Sequence, residues 1–290
     1  MPTRGSPLPE QPLTRPTLPQ PPFGNRSLPN RAVDFRWDED WDPRWTPRIP
    51  EFAAVANAVS LLMPTVEPSV ARAVSACSAN CEEGLHTQAD WWVRQELQHS
   101  RQHRRLNLRL LENYPLLRFV QRFATRVYRW VDSRSVDFRI SFAAGSEAVA
   151  YSCARWTEAH LSLLDGADLH TRQAFLWHLA EEVEHKNVAF DVWQSQRRSR
   201  FRLAVATALA MLVLAGFTTL GFFTILATDR QVLRPRVWLN LTRWTFSYII
   251  NELPNIASSA LPGHHPSQFV DPLFFETVLD SWDMQPADLP

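Results

Sequence analysis

From Phe52 onward, apolar residues recur three or four positions apart among alanine, leucine and arginine, with little of the two-residue alternation that marks strands. The pattern predicts an all-α domain, which breakers cut into five amphipathic runs. The first extends from Phe52 to about Cys81 and is punctuated by Pro64 and Pro68. Gly84 and the polar residues after it separate a second run, from about Gln88 to Asn113, which Pro115 closes. A third covers Leu116 to Trp130, a fourth Phe138 to Leu164 and a fifth Leu169 to Gln196, the last two joined by an Asp165-Gly166 turn. Four of these are long enough for a bundle. Glu83 and His86, on either side of Gly84, fall at a helix boundary and are expected in a loop.

The pattern fails at both ends of the chain. Residues 1–32 hold Pro2, Pro7, Pro9, Pro12, Pro16, Pro19, Pro21, Pro22 and Pro29, too little apolar material to order itself, and read as a disordered tail. Between Val33 and Pro50, Trp37, Trp41 and Trp45 stand among Asp38, Glu39, Asp40 and Asp42, as in an irregular strap laying its indoles on the domain. Leu203 to Thr228 runs for about 25 residues without a charge, long enough to cross a bilayer. Arg197, Arg198, Arg200 and Arg202 precede it and Arg230, Arg234 and Arg236 follow, so the charge bias across it is weak. Membrane contact through 203–228 and a buried helix or hairpin both fit. Val237 to Ile250 suits an interfacial helix continuing such an anchor. Three units follow: the tail 1–32, a helical bundle 33–200, and an apolar helical extension with the C-terminal segment, 201–290.

Composition narrows the partners. Lys+Arg and Asp+Glu each count 30, and no block of like charge is long enough for a nucleic-acid tract, so nucleic acid is not expected. Cys77, Cys81 and Cys153 form an odd set, and the first two lie one helical turn apart, which suits a packed helix face in a reducing cytoplasm. No apolar signal core stands at the amino terminus. The expected location is the cytoplasm, at the inner face of the cytoplasmic membrane if 203–228 engages lipid. A homodimer is left open.

The chemistry concentrates in two segments. In Phe175 to Asp191, His178, Glu182 and His185 stand at i, i+4 and i+7, within a helix stripe roughly 60° wide. Glu181 lies at its edge, and Glu184 points away, as a solvated charge would. In Gln95 to His103, Glu96 and His99 repeat the Glu-x-x-His spacing and His103 extends the stripe by a turn. A di-iron or di-manganese bundle needs a Glu-x-x-His from each of two helices and a single Glu from each of the other two. Glu67, near the start of the first run, and Glu147, among the small residues 143–150, are the candidates, with Glu51 or Glu82 alternative to the first and Glu158 to the second. The expected metal ligands are thus Glu67, Glu96, His99, Glu147, His178, Glu182 and His185 in a ferritin-like four-helix bundle. His103 and Glu181 stand behind them as candidate partners that orient the ligands. Oxygen-rich donors with imidazole favour two iron ions, with manganese or zinc as alternatives.

At these residues the chain resembles the bacterial family catalogued as predicted metal-dependent hydrolases, through Gln95-Glu-x-x-His-x-x-x-His103 and Trp177-His-x-x-Glu-Glu-x-Glu-His-Lys-x-Val-Ala-Phe-Asp191. Pro262-Gly-His-His-Pro266 is similar to that family's Pro-Gly-Phe-His-Pro segment. Where the family has Pro-x-Gly-Glu, this chain has Pro64-Thr-Val-Glu67, a departure that bears on Glu67. The family's name implies hydrolysis by a metal-bridged hydroxide. The helix pattern is similar to ferritin-like di-iron oxygenases, and His178-x-x-x-Glu182-x-x-His185 to the extra-histidine motif of p-aminobenzoate N-oxygenases, which implies O2 activation. The leading expectation is a di-iron oxidoreductase acting with O2 on a small, lipophilic substrate. A hydrolase is the alternative, and a non-catalytic, membrane-associated metal-binding protein a third class.

Overall fold

In the computed structural model, residues 31, 33–196, 198–274 and 277–278 are described, so the tail apart from Arg31, and Arg197, lie outside the described residues. Those described form helices α1 (Pro50–Ser60), α2 (Met63–Ser78), α3 (Glu83–Asn113), α4 (Leu117–Asp132), α5 (Val136–Glu158), α6 (Leu169–His185), α7 (Val188–Ser195), α8 (Arg200–Thr228), α9 (Pro235–Asn251) and α10 (Leu253–Ser258). No strand occurs among them. The chain is an all-helical bundle, as its periodicity requires.

The central helices are α2, α3, α5 and α6. α2 lies along α3 and α5, and α5 along α6, with α7 continuing α6 against α3 and α5. Val70, Val74, Trp92, Phe142, Phe190 and Trp193 fill the space between them. Starts are set locally: the Ser135 side chain accepts from the Phe138 amide to cap α5, and Asp168 accepts from Thr171 to cap α6.

Three expectations are corrected. The first run is two helices, broken at Leu61 and Leu62, because Pro64 has no N–H to give the Ser60 carbonyl and sits instead in the first turn of α2, where none is needed. The orphaned Ser60 carbonyl accepts from Asn107 Nδ2 of α3 at 2.8 Å. The second run starts at Glu83, so Glu83 and His86 lie in the first turn of α3 rather than in a loop; Gly84, with open space around it, does not stop the helix. The fifth run breaks at Lys186 and Asn187, which places Lys186 against Asp271 of the C-terminal segment.

The tryptophan strap lies on the bundle as expected. Trp37 and Trp41 both donate to Thr171 Oγ1, at 3.1 and 3.0 Å, and Trp45 donates to Asn57 Oδ1 at 3.0 Å. The three cysteines are free.

The apolar segment is one helix, α8, long and apolar enough to cross a membrane by length and composition alone. It lies along α5 and α1. A Cβ on Gly145 of α5 would meet Thr207 Cα at 2.6 Å, and one on Gly221 of α8 would meet Ala58 Cβ at 3.0 Å, so glycine permits both close approaches. Leu203, Ala206, Ala210, Phe217 and Ile225 are buried on that side, whereas Phe201, Val205, Leu212 and Leu220 are exposed on the other.

Gly145→Ala should lower the chemical-denaturation midpoint by the equivalent of about 1–3 kcal/mol, the usual cost of overpacking. Gly84→Ala in the same preparation should raise it by no more than about 0.5 kcal/mol, because alanine loses less backbone freedom than glycine in the first turn of α3 and nothing opposes the added methyl.

Candidate metal centre

Each central helix contributes to one interior point: Glu67 from α2, Glu96 and His99 from α3, Glu147 from α5, and His178, Glu182 and His185 from α6. All seven are buried, His178 being the most exposed at 7%. Spacings of three and four along α3 and α6 put each helix's donors on its inward face.

Six of the seven close on one another. Ligand atoms of Glu96, His99, Glu182 and His185 all lie within 4.8 Å of each other, as do those of Glu67, His99 and His178, so two overlapping groups share His99. His185 Nδ1 stands 2.8 Å from Glu96 Oε1, His178 Nε2 stands 2.8 Å from Glu182 Oε1 and 3.6 Å from Glu67 Oε1, and His99 Nδ1 stands 3.6 Å from Glu182 Oε1. Glu147 belongs to neither group, yet its carboxyl feels Glu182, Glu96 and Glu67. The alternatives lie elsewhere: Glu51 accepts from Asn240, Glu158 accepts from the Phe274 amide, and Glu82 precedes the first turn of α3.

Whether a metal suits these residues can be tested on their hydrogen bonds. Glu67 Oε1 and Oε2, Glu96 Oε1, His99 Nδ1, Glu147 Oε2, Glu182 Oε2 and His185 Nδ1 are all buried without a hydrogen-bond partner. His185 Nδ1 and Glu96 Oε1 stand 2.8 Å apart with no hydrogen bond between them. Buried polar atoms are rarely left unpaired, and so many in one place call for a ligand that takes lone pairs.

The surrounding residues decide which imidazole nitrogens are bare. His185 Nε2 meets Gln95 Oε1 at 3.1 Å, an atom that can only accept, so Nε2 carries the proton and Nδ1 a lone pair. His99 Nε2 meets Glu181 Oε2 at 2.8 Å; burial raises the Glu181 carboxyl, but His185 and Arg31, the latter 3.2 Å from its other oxygen, oppose the rise and favour the accepting carboxylate. His99 Nδ1 is bare in consequence. At His178 the order is set from α1: Ser60 Oγ donates to Asn107 Oδ1 at 3.1 Å, so it accepts from His103 Nδ1 at 2.8 Å. His103 Nε2 then accepts from His178 Nδ1 at 2.6 Å, which in the neutral ring leaves the Nε2 lone pair for a metal; that nitrogen lies 2.8 Å from Glu182 Oε1 and 3.6 Å from Glu67 Oε1. Every imidazole thus offers its lone pair inward, the arrangement that orients histidine ligands.

Electrostatics agree. Burial, reinforced by neighbouring carboxylates, pushes Glu67, Glu96 and Glu147 well above the usual carboxylate range. Burial likewise holds His99 and His185 below the ordinary imidazole value. Burial would raise Glu182 too, but the hydrogen bond and charge that His178, with His185 and His99, lend it when protonated outweigh burial and lower it to about 2.

Glu181 lies against His99 Nε2 and His103 against His178 Nδ1. Glu184 does not point freely to solvent: it takes both guanidinium nitrogens of Arg31, at 2.7 and 3.1 Å. Arg31, Gln95, Ser60 and Asn107 escaped sequence reasoning. Only Gln95 carried a signal, standing one turn before His99 on the same helix face.

These features define a helical bundle with a buried carboxylate and histidine metal-binding cluster at its centre. The family model described as predicted metal-dependent hydrolase matches residues 29–269, and the chain belongs to that family. No curated protein and no solved structure matches it significantly.

Gln95→Leu and Glu181→Leu should each weaken metal binding about 10–100-fold, read by competition with a chelator, because the imidazoles lose the partners that fix their tautomers. A second outcome concerns pH. Carboxyls raised in the fold keep protons that the unfolded chain releases near 4.5, so their contribution to stability is present below that value and is lost as pH rises through the folded pKa. As pH rises above about 4.5, metal-free protein should therefore lose about 1.4 kcal/mol per pH unit for each proton that the fold retains and the unfolded chain has released. Thermal melts with and without added manganese should diverge as pH rises, because ligation releases those protons.

Proposed function

We propose that the chain is a non-haem di-iron oxidoreductase that uses dioxygen to oxidise a small, lipophilic substrate. The observation that carries this reading is the cluster of unpaired donor atoms on four helices, carboxylate oxygens and imidazole nitrogens without a thiolate, a set that favours iron or manganese. The four-helix placement, a Glu-x-x-His on each of α3 and α6 with Glu67 and Glu147 opposite, is the one that ferritin-like di-iron proteins use. His178 adds a seventh donor residue, as in p-aminobenzoate N-oxygenases.

In this reading Glu67, Glu96, His99 and His178, with Glu147, Glu182 and His185, hold two ions, and the carboxylates offset their charge. Bound ferrous ions would supply the electrons that reduce dioxygen. Glu181, Gln95 and His103 keep the imidazoles in the binding tautomer. Burial of all seven donors favours a small diffusible oxidant over bulk solvent. The apolar side of α8 motivates a lipophilic substrate.

The family description favours a second reading, hydrolysis, in which the metals act as Lewis acids on an ester or phosphoester. Here the deep burial counts the other way, since both water and a polar substrate would have to reach the centre.

To separate the two, the purified chain is loaded with ferrous iron without oxygen and oxygen is then admitted. Expected are oxygen uptake in proportion to iron and new near-ultraviolet and visible absorption, both lost in Glu96→Ala and His185→Ala. Inert iron, together with zinc-supported hydrolysis of simple esters under nitrogen, would transfer the assignment to the hydrolase.

A further inference from the structure

The side of the molecule built by α4 and the C-terminal half of α8 has no part in the chemistry above. Leu116, Phe119 and Phe123 face Leu220, Phe223 and Ala227 across an open apolar groove. Phe119 is 64% exposed and Phe123 52%. Trp238 of α9 extends the surface, its ring 5.6 Å from that of Phe223. So much contiguous exposed apolar area marks a contact surface.

Charge identifies what the surface fits. The inner side of α4, with Leu117, Val120, Ala124 and Tyr128, is core. Its outer side interleaves Arg118, Arg122, Arg126 and Arg129 with Phe119, Phe123 and Trp130, all exposed. The one acid of α4, Asp132, is engaged by Arg72 at 2.6 Å and Ser69 at 2.6 Å. Among the described residues none of those four arginines has an ion-pair partner, nor do Arg230 and Arg234 just past α8. The Arg122 guanidinium rests 4.6 Å over the Phe119 ring, a stacking that leaves its charge outward. An apolar stripe flanked by unpaired cations is the pattern of a helix lying in the plane of a membrane interface.

We propose that this face docks on the surface of an anionic phospholipid bilayer, with Phe119, Phe123 and Leu220 at the acyl boundary and the arginines on lipid phosphates. α8 lies on the bilayer rather than across it, because its other side is sealed against α5 and α1 by the approaches at Gly145–Thr207 and Gly221–Ala58. A second copy fits the face less well: a two-fold contact sets the same patch against itself, and here that brings arginine to arginine.

The test is co-sedimentation of the full chain with vesicles of phosphatidylcholine alone or mixed with phosphatidylglycerol. Binding is expected to the mixed vesicles, strongly reduced at about 1 M salt, where charges are screened beyond roughly 3 Å. Arg118→Ser/Arg122→Ser/Arg126→Ser and, separately, Phe119→Ser/Phe123→Ser should each weaken it about tenfold or more. Both variants change exposed side chains, and unaltered circular dichroism and metal content would tie the loss to the surface. Equal binding to both kinds of vesicle, or to neither, would overturn the proposal. Retention in cell membranes through an alkaline carbonate wash would overturn it in favour of a spanning helix. Self-association that disappears in Phe119→Ser/Phe123→Ser, with no vesicle binding, would give the face to a second copy.

Discussion

Four glutamates placed inside one helical bundle repel each other and forfeit their hydration, and among the described residues no arginine or lysine pairs with Glu67, Glu96, Glu147 or Glu182. Stripped of a cation, that centre opposes folding, since burying a carboxylate without compensation costs far more than a typical contact returns. The rest of the architecture can be understood as a frame that tolerates the conflict. Trp92, Trp177 and Phe142 are among its fully buried side chains, and large rigid rings suit a site that has to keep its shape. Arg31 pairs with Glu181 and Glu184, beside the donors on α6.

A backbone accident and the site are joined at Ser60. Because Pro64 cannot continue α1 into α2, the Ser60 carbonyl needs another donor, and Asn107 provides it. That contact fixes the amide of Asn107, whose oxygen then takes the Ser60 hydroxyl proton and so directs His103 and His178. The proline that interrupts the helix thus takes part in setting which nitrogen of a candidate ligand is exposed to the centre.

Much of this was legible in the sequence. Periodicity located α4 and α8 closely, because each buries one apolar side, and found α9 although Val237 is the only one of its residues that is buried; the spacing of Glu96 with His99 and of His178 with Glu182 and His185 singled out residues that the fold brings together. What was not legible has physical causes. At Leu61 the breaker, Pro64, is local, but the donor that takes up the freed Ser60 carbonyl, Asn107, is distant in sequence; at Lys186 neither proline nor glycine marks the break, and its partner Asp271 is distant too. The inward stripe of α3, running through Gln95, Gln98, His99, Gln102 and His103, is polar, so hydrophobic patterning is blind to its orientation; part of that stripe serves the site and part carries the strap, since Gln98 and Gln102 donate to the Arg31 and Val33 carbonyls. Arg31 itself belongs to a segment whose composition reads as tail.

The outward-turned N–H groups of the three histidines have a consequence for any reaction at the centre. Each neutral ring has a single proton, and at His99, His178 and His185 that proton is committed to Glu181, His103 and Gln95. None of the three can act as an acid toward a bound molecule without first giving up its grip on the scaffold. Protons that a turnover consumes would therefore have to arrive with the substrate or from outside the ring of donors, since the glutamates give up theirs when they take a metal.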